Sequence, residues 1–189
     1  MFKKIFIAAW LAAALPAFAT SVLPVDLGQM IDQAAVVFQG TVTEVRSGRD
    51  PQTGMLVTMT TFRVDDVLKG DVPSSYTIKQ IGGEDASTGL KFRAIGVPTY
   101  KAGETYVLFM NGVSAHGLTS PVGLSQGRFE VASGDAGLEV GNGHDFRELT
   151  ENTPDLQLPA QARGANGVVH RIGLDDFKAM IRKHAGTKQ

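Results

Sequence analysis

The sequence predicts a mostly β domain: a small OB-like β-barrel with a short N-terminal helix and a C-terminal helix. Three observations lead there. Period-two alternation of apolar and polar residues recurs in runs bounded by Gly, Pro and Asp. Helical periodicity is confined to one short stretch before the first strand and one at the chain's end. The first strands are long and carry internal breaks, as at the corners of a barrel, which favours an OB-like closure over a sandwich.

The first helix opens at Asp26, a good N-cap, with Gln29 at the third helical position, a capping-box pattern. Leu27, Met30, Ile31 and Ala34 fall on one face. The first strand follows, with Val36, Phe38, Gly40 and Val42 on one side. Gly40 within that face predicts a bend or a close backbone approach. Asp50-Pro51-Gln52-Thr53-Gly54 is a turn. In the second strand, Leu56 to Leu68, Thr58, Thr60, Phe62 and Val64 alternate with Val57, Met59 and Thr61. Asp65-Asp66 breaks the alternation and predicts a bulge. A third strand places Tyr76 and Ile78 inward.

Residues 82–100 read as a long glycine-containing loop with a short strand near Leu90. Thr105 to Met110 is continuously apolar, as in a strand buried on both faces. Phe129 and Val131 alternate inward, and Leu138 to Val140 is the hairpin partner across Ser133-Gly134-Asp135. The barrel is expected to span residues 20–140, with Phe38, Val42, Phe62, Ile78, Leu108 and Phe129 pointing into one core joined by the first helix. A barrel of five or six strands is filled by its own side chains, so no interior pocket is expected. Residues 141–172 are rich in Gly, Asn, Asp, Pro and Gln and read as a polar extended surface segment. Residues 173–189 form the closing helix on or beside the barrel. Its stripe is Leu174, Phe177 and Ile181, with Asp175 and Asp176 in the first turn and Arg182, Lys183 and His184 in the last, matching the helix dipole.

The N-terminus reads as a signal peptide over residues 1–19. Lys3 and Lys4 form a basic start, Ile5 to Leu15 an apolar run ended by Pro16, and Ala17 and Ala19 a cleavage site before Thr20. The run is too short to span a bilayer. Export to the periplasm or beyond is therefore expected, with no membrane association after processing. The chain has no cysteine, so the exported product must rest on a packed core and not on disulfides. Cleavage leaves 170 residues, enough for one domain, with 16 basic and 19 acidic side chains. That balance predicts no nucleic-acid partner.

Four blocks carry a family resemblance: Ala34-Ala-Val-Val-Phe-Gln-Gly-Thr-Val, Phe62-Arg-Val-Asp-Asp-Val-Leu-Lys-Gly, Tyr76-Thr-Ile-Lys-Gln and Gly103-Glu-Thr-Tyr-Val-Leu-Phe. In strand spacing they resemble the OB-type core of netrin-like modules and tissue inhibitors of metalloproteases. The blocks Gly96-Val-Pro-Thr-Tyr-Lys-Ala-Gly-Glu and Gly117 to Phe129 are similar to exported bacterial proteins to which no activity is attached. The first resemblance implies an exported metalloprotease as a partner. Tissue inhibitors place an N-terminal cysteine on the target's zinc, whereas the expected mature terminus here is Thr20-Ser21. That inhibitory residue does not carry over.

No motif defines a catalytic residue, a metal site or a cofactor. Gly123-Leu-Ser125-Gln-Gly127 matches G-x-S-x-G, but a nucleophile elbow needs a helix after the serine, and a strand pattern follows here. His116, His144, His170 and His184 show no paired zinc spacing. Gly141-Asn-Gly-His144-Asp145 lacks the carboxylate count of a calcium loop. Asp65 and Asp66 are neighbours on a strand and point to opposite faces. Gly82-Gly83 is followed by acidic residues that repel phosphate. The remaining candidate is an interaction surface on the loops carrying Arg93, Tyr100 and His116, residue types favoured at interfaces. Three functions stay open: a non-enzymatic binding module, a protease inhibitor or protease-associated accessory protein, and a hydrolase of unrecognised type.

Overall fold

A computed structural model of the protein describes residues 23–135, 137–160, 162 and 167–187. The expected signal segment and its cleavage point between Ala19 and Thr20 lie outside the described residues. The elements run α1 (Leu27–Gln33), β1 (Val36–Arg49), β2 (Leu56–Lys69), β3 (Ser75–Ile81), β4 (Gly83–Asp85), β5 (Leu90–Phe92), β6 (Thr105–Met110), β7 (Arg128–Gly134), β8 (Gly137–Gly141), α2 (Phe146–Thr150), β9 (Ile172–Gly173) and α3 (Leu174–Thr187). Seven strands form one antiparallel sheet in the order β3-β2-β1-β6-β7-β8-β9, and β4 and β5 pair as a separate hairpin.

The β1–β2 ribbon is long and irregular. Its register shifts three times, leaving Thr43 on β1 and Asp65 and Leu68 on β2 as extra residues. Bulges increase local twist and bend the strand that carries them. The shift at Asp65 is the break expected from the Asp65-Asp66 pair. Gly40 lies beside it, and a Cβ there would meet the Arg63 carbonyl at 3.0 Å and the Phe38 ring at 3.1 Å. The backbone approach expected at Gly40 is therefore real.

The curled sheet has two faces with a core on each. On the concave face Phe38, Val42, Phe62, Ile78, Leu108 and Tyr106 pack together. On the convex face Val37, Val107 and Phe109 meet the stripes of α1 and α3. Phe109, Phe129, Phe146 and Phe177 form a cluster there with ring centroids 4.8 to 6.0 Å apart. β6 serves both cores by alternation, as its unbroken apolar run predicts. Phe129 corrects the single-core expectation. It pairs with Val107 and so shares that residue's convex face with α1.

The closed barrel does not form. β7, β8 and β9 continue the sheet beyond β6, which leaves β3 and β9 as its ladder edges. Residues 118–122 turn back between β6 and β3. They bond to β6 and the residue after it through Val122 N–H to Phe109 C=O (2.7 Å) and Asn111 N–H to Ser120 C=O (3.0 Å). Thr119 N–H reaches the Lys79 carbonyl of β3 at 2.9 Å. One backbone bond tethers an edge without extending the ladder.

Residues 141–172 also depart from expectation. Phe146, Leu149, Leu156, Val169 and Ile172 are buried in the convex core. Asp145 caps α2, its carboxylate accepting from Arg147 N–H at 3.1 Å and Val169 N–H at 3.0 Å. These anchors are spaced without a period, so neither a helix nor a strand template detects them.

The helices are fastened by charge. Lys69 Nζ donates to the carbonyls of Ile31, Asp32 and Ala34 at 2.6 to 3.1 Å, occupying the end of α1 where helical carbonyls lack partners. Asp66 meets Lys178 and Arg182 of α3 at 2.6 Å each. Desolvation raises the Asp66 carboxyl, but hydrogen bonds from Lys178 and Arg182 outweigh it and hold the group below the usual carboxylate range. His184 is buried at 3 % exposure. Its Nδ1 lies 2.6 Å from Asp155 and its Nε2 3.1 Å from Asp32, so it ties α3 to α1 and to the chain after α2, beyond the dipole role its position suggested.

Phe62→Ala and Phe129→Ala should each cost about 3 to 5 kcal/mol. Because the two rings sit in different cores, urea denaturation of the double mutant should give the sum to within about 0.5 kcal/mol. A coupling above about 1 kcal/mol would mean that the two faces pack as one.

Candidate functional site

The concave face changes character along its length. At one end it is aromatic. Tyr76 packs edge-on against Phe38 (5.4 Å), Phe38 against Phe62 (5.7 Å), Phe62 against Tyr100 (5.3 Å), and Tyr100 against Tyr106 (5.3 Å). At the other end the inward positions of the same strands are mostly polar. The pairs Ser47↔Thr58, Val45↔Thr60 and Thr58↔Gln80 lie on the face that carries Phe62 and Ile78. A cleft of about 460 Å³ opens there. Its floor is the polar end of the ribbon, one wall is the β4–β5 hairpin, and the other is the strap formed by residues 93–100. This overturns the expectation that the interior is filled by its own side chains, because the sheet curls without closing and leaves a mouth.

Two hydroxyls hold the hairpin over the mouth. Ser47 Oγ accepts from Glu84 N–H at 2.6 Å, and Thr58 Oγ1 donates to the Gly82 carbonyl at 2.8 Å. Gly83 lies against both, with φ +153, and a Cβ there would collide with Ser47 Oγ and meet Thr58 Oγ1 at 2.9 Å. Only glycine fits this approach. Further out, Arg49 Nε meets Asp85 at 2.9 Å, and Ser87 donates to Asp85 from N–H (3.0 Å) and Oγ (2.6 Å). The Ser87 and Thr88 hydroxyls, with Arg49 beside them, hold the Asp85 carboxyl far below the usual carboxylate range. Glu84 and Lys91 pair across the hairpin at 2.9 Å.

The strap is anchored at three points. Tyr100 inserts its ring between Phe62 and Tyr106. Arg128, stacked 5.2 Å above the Tyr106 ring, donates to the Thr99 carbonyl at 3.2 Å. The Gly96 carbonyl accepts from Ser125 N–H at 3.1 Å. Burial pushes the Tyr106 hydroxyl up to about 12, reinforced by its hydrogen bond to Glu104. Burial raises Tyr100 as well, so both phenols stay protonated.

The cleft brings together Arg93, exposed on its rim, and Tyr100, which is buried and reaches the cleft only as part of its wall. His116 is exposed on the loop of residues 111–121 and does not line the cleft. Gln80, Ser47 and Thr58 were missed as site residues. Gln80 is 3 % exposed, and its Nε2 has no hydrogen-bond partner among the described residues; nor do the Tyr100 hydroxyl and Thr60 Oγ1. Their signal in the sequence is polar residues at positions where the alternation calls for apolar ones.

Elsewhere the sequence candidates resolve into structure. Ser125 stands in a 3-10 turn, Leu124–Gly127, that leads directly into β7, and no histidine or carboxylate reaches its hydroxyl among the described residues. Asn142 of the Gly141-to-Asp145 stretch donates to the Gln126 carbonyl at 2.7 Å. Among the described residues no group of three or more His, Asp or Glu is placed to hold a metal ion, and no helix is long and apolar enough to cross a membrane. No family model matches the chain, and no curated protein matches it.

The Asp85 anchor makes a pH prediction. Its folded pKa lies below the ordinary value of 3.8, so the stability it lends is complete above that value and is lost as pH falls through the folded pKa. Acidification below about pH 4 should therefore cost the wild type more stability than Asp85→Asn, measured by urea unfolding across the acid range. Parallel losses in the two proteins would mean that Asp85 is not coupled to folding.

Proposed function

We propose that this chain is an exported, non-enzymatic binding module and that the cleft between hairpin and strap is where it binds. The observation that carries the reading is that two residues lining an otherwise apolar concavity, Gln80 and Tyr100, each hold a buried polar atom with no hydrogen-bond partner among the described residues. Buried donors and acceptors are nearly always satisfied in native proteins, and an occupant that completes them is the direct explanation. The volume lies within the range of small-ligand sites, and the lining is apolar with a few convergent polar groups. Catalysis has less support, because no nucleophile–base pair lines the cleft. Export rests on the basic and apolar N-terminal segment and the Ala17-Phe18-Ala19 junction. An OB-like reading of β1, β2, β3 and β6 is supported by their curl around one aromatic core and by the return of residues 118–122 toward β3.

Two measurements test this. N-terminal sequencing of exported protein should begin at Thr20; Met1 retained in a membrane fraction would refute export by cleavage. Ala94 lines the cleft and is half-buried, so Ala94→Trp should fill it without disturbing either core. Native mass spectrometry of protein purified from the exporting cell should find a bound species on the wild type and none on Ala94→Trp. The same species on both would move binding away from this cleft.

A further inference from the structure

The cleft's chemistry narrows its occupant, on the reading that it is a binding site. We propose that it takes a small apolar carboxylic acid, with the tail on the apolar walls and the carboxylate facing the Gln80 amide, the Tyr100 hydroxyl and Arg93. The walls set the apolar part. Val45, Ile81 and Phe92 line the cleft yet remain 38 %, 38 % and 47 % exposed. Clustered exposed apolar surface of this kind marks a place where something binds.

The polar groups set the head. Gln80 Nε2 is a pure donor, and the Tyr100 hydroxyl donates while protonated. Both atoms are buried and lack partners among the described residues, and both belong to residues that line the cleft. A ligand that satisfies them must bring hydrogen-bond acceptors. Three charged side chains line the same cleft. Glu84 and Lys91 neutralise each other at 2.9 Å, which leaves Arg93 as the lining charge without an ion-pair partner among the described residues. The matching ligand is therefore anionic as well as an acceptor, and a carboxylate is both. A second cavity of about 310 Å³ lies beside the first and shares Gln80, Ile81 and Val97 with it.

Isothermal titration of the purified exported protein, stripped of lipid, tests the proposal with dodecanoate as the probe and dodecanol and dodecyltrimethylammonium as matched chains, all below their micelle thresholds. Dodecanoate should bind one to one and more tightly than either. Arg93→Ala, an exposed change, should weaken it about tenfold, the scale of one charge-assisted hydrogen bond, and remove the preference over dodecanol. Gln80→Leu should also weaken binding while raising the melting temperature of the empty protein, because it deletes a buried unpaired donor. A purely structural Gln80 would lower that temperature instead. No saturable binding of dodecanoate, equal binding of dodecanol, or unchanged binding to Ala94→Trp would each overturn the proposal. If dodecanoate fails while Ala94→Trp still loses its native occupant, the ligand class is wrong and the cleft remains a binding site. If both tests fail, the binding site itself is refuted.

Discussion

The rest of the structure depends on the curl of the β1–β2 ribbon. Three extra residues in two fourteen-residue strands force it to twist and bend, so that one sheet acquires a concave and a convex face. Each face then needs its own cover. The convex face takes three helices and the chain between β8 and β9. The concave face is filled by rings, with Tyr100 supplied by a loop. A flat sheet of the same composition would have no place for that ring, and the strap would have nothing to hold it.

The site is a consequence of incomplete filling. Aromatic side chains from β1, β2, β3 and β6 occupy one end of the concavity. Beyond Thr60 the inward positions pass to Ser47, Thr58 and Gln80, and rings give way to hydroxyl and amide groups. Ser47 and Thr58 spend their hydrogen bonds on the backbone of Gly82 and Glu84 and so fix the hairpin as a wall. Gln80 lines the same cleft, and its buried side-chain donor has no partner among the described residues. Leaving a buried amide unpaired is destabilising by about 1 to 3 kcal/mol, which is difficult to reconcile with a purely structural role. The proposed binding of a carboxylate follows from that imbalance together with the charge of Arg93, which has no ion-pair partner among the described residues.

Much of this was legible in the order of residues. The cap at Asp26, the close approach at Gly40, the bulge at Asp65 and the two-faced burial of β6 each follow from local chemistry that the structure repeats. What depended on long-range geometry was not legible. Phe129 alternates like any inward strand residue, and only its pairing with Val107 assigns it to the convex core. Phe146, Leu156 and Val169 sit among polar residues with no period, so their burial in the convex core leaves no local trace. Closure depends on where β7 goes after β6, which no strand pattern encodes. For the site, Arg93 and Tyr100 were found because of residue type. Gln80 was passed over although it follows Tyr76 and Ile78 at period two, and a polar residue at that inward step was the signal.

The central claim is that the polar end of the concave face holds an occupant through Gln80. It is tested most directly by nuclear magnetic resonance of the Gln80 side-chain amide during titration with dodecanoate. The account predicts saturable shifts of that amide and of the Arg93 and Val97 backbone, with the cluster around Phe129 and Phe177 unmoved. Shifts confined to the convex face, or a Gln80 amide that does not respond while dodecanoate binds, would contradict it.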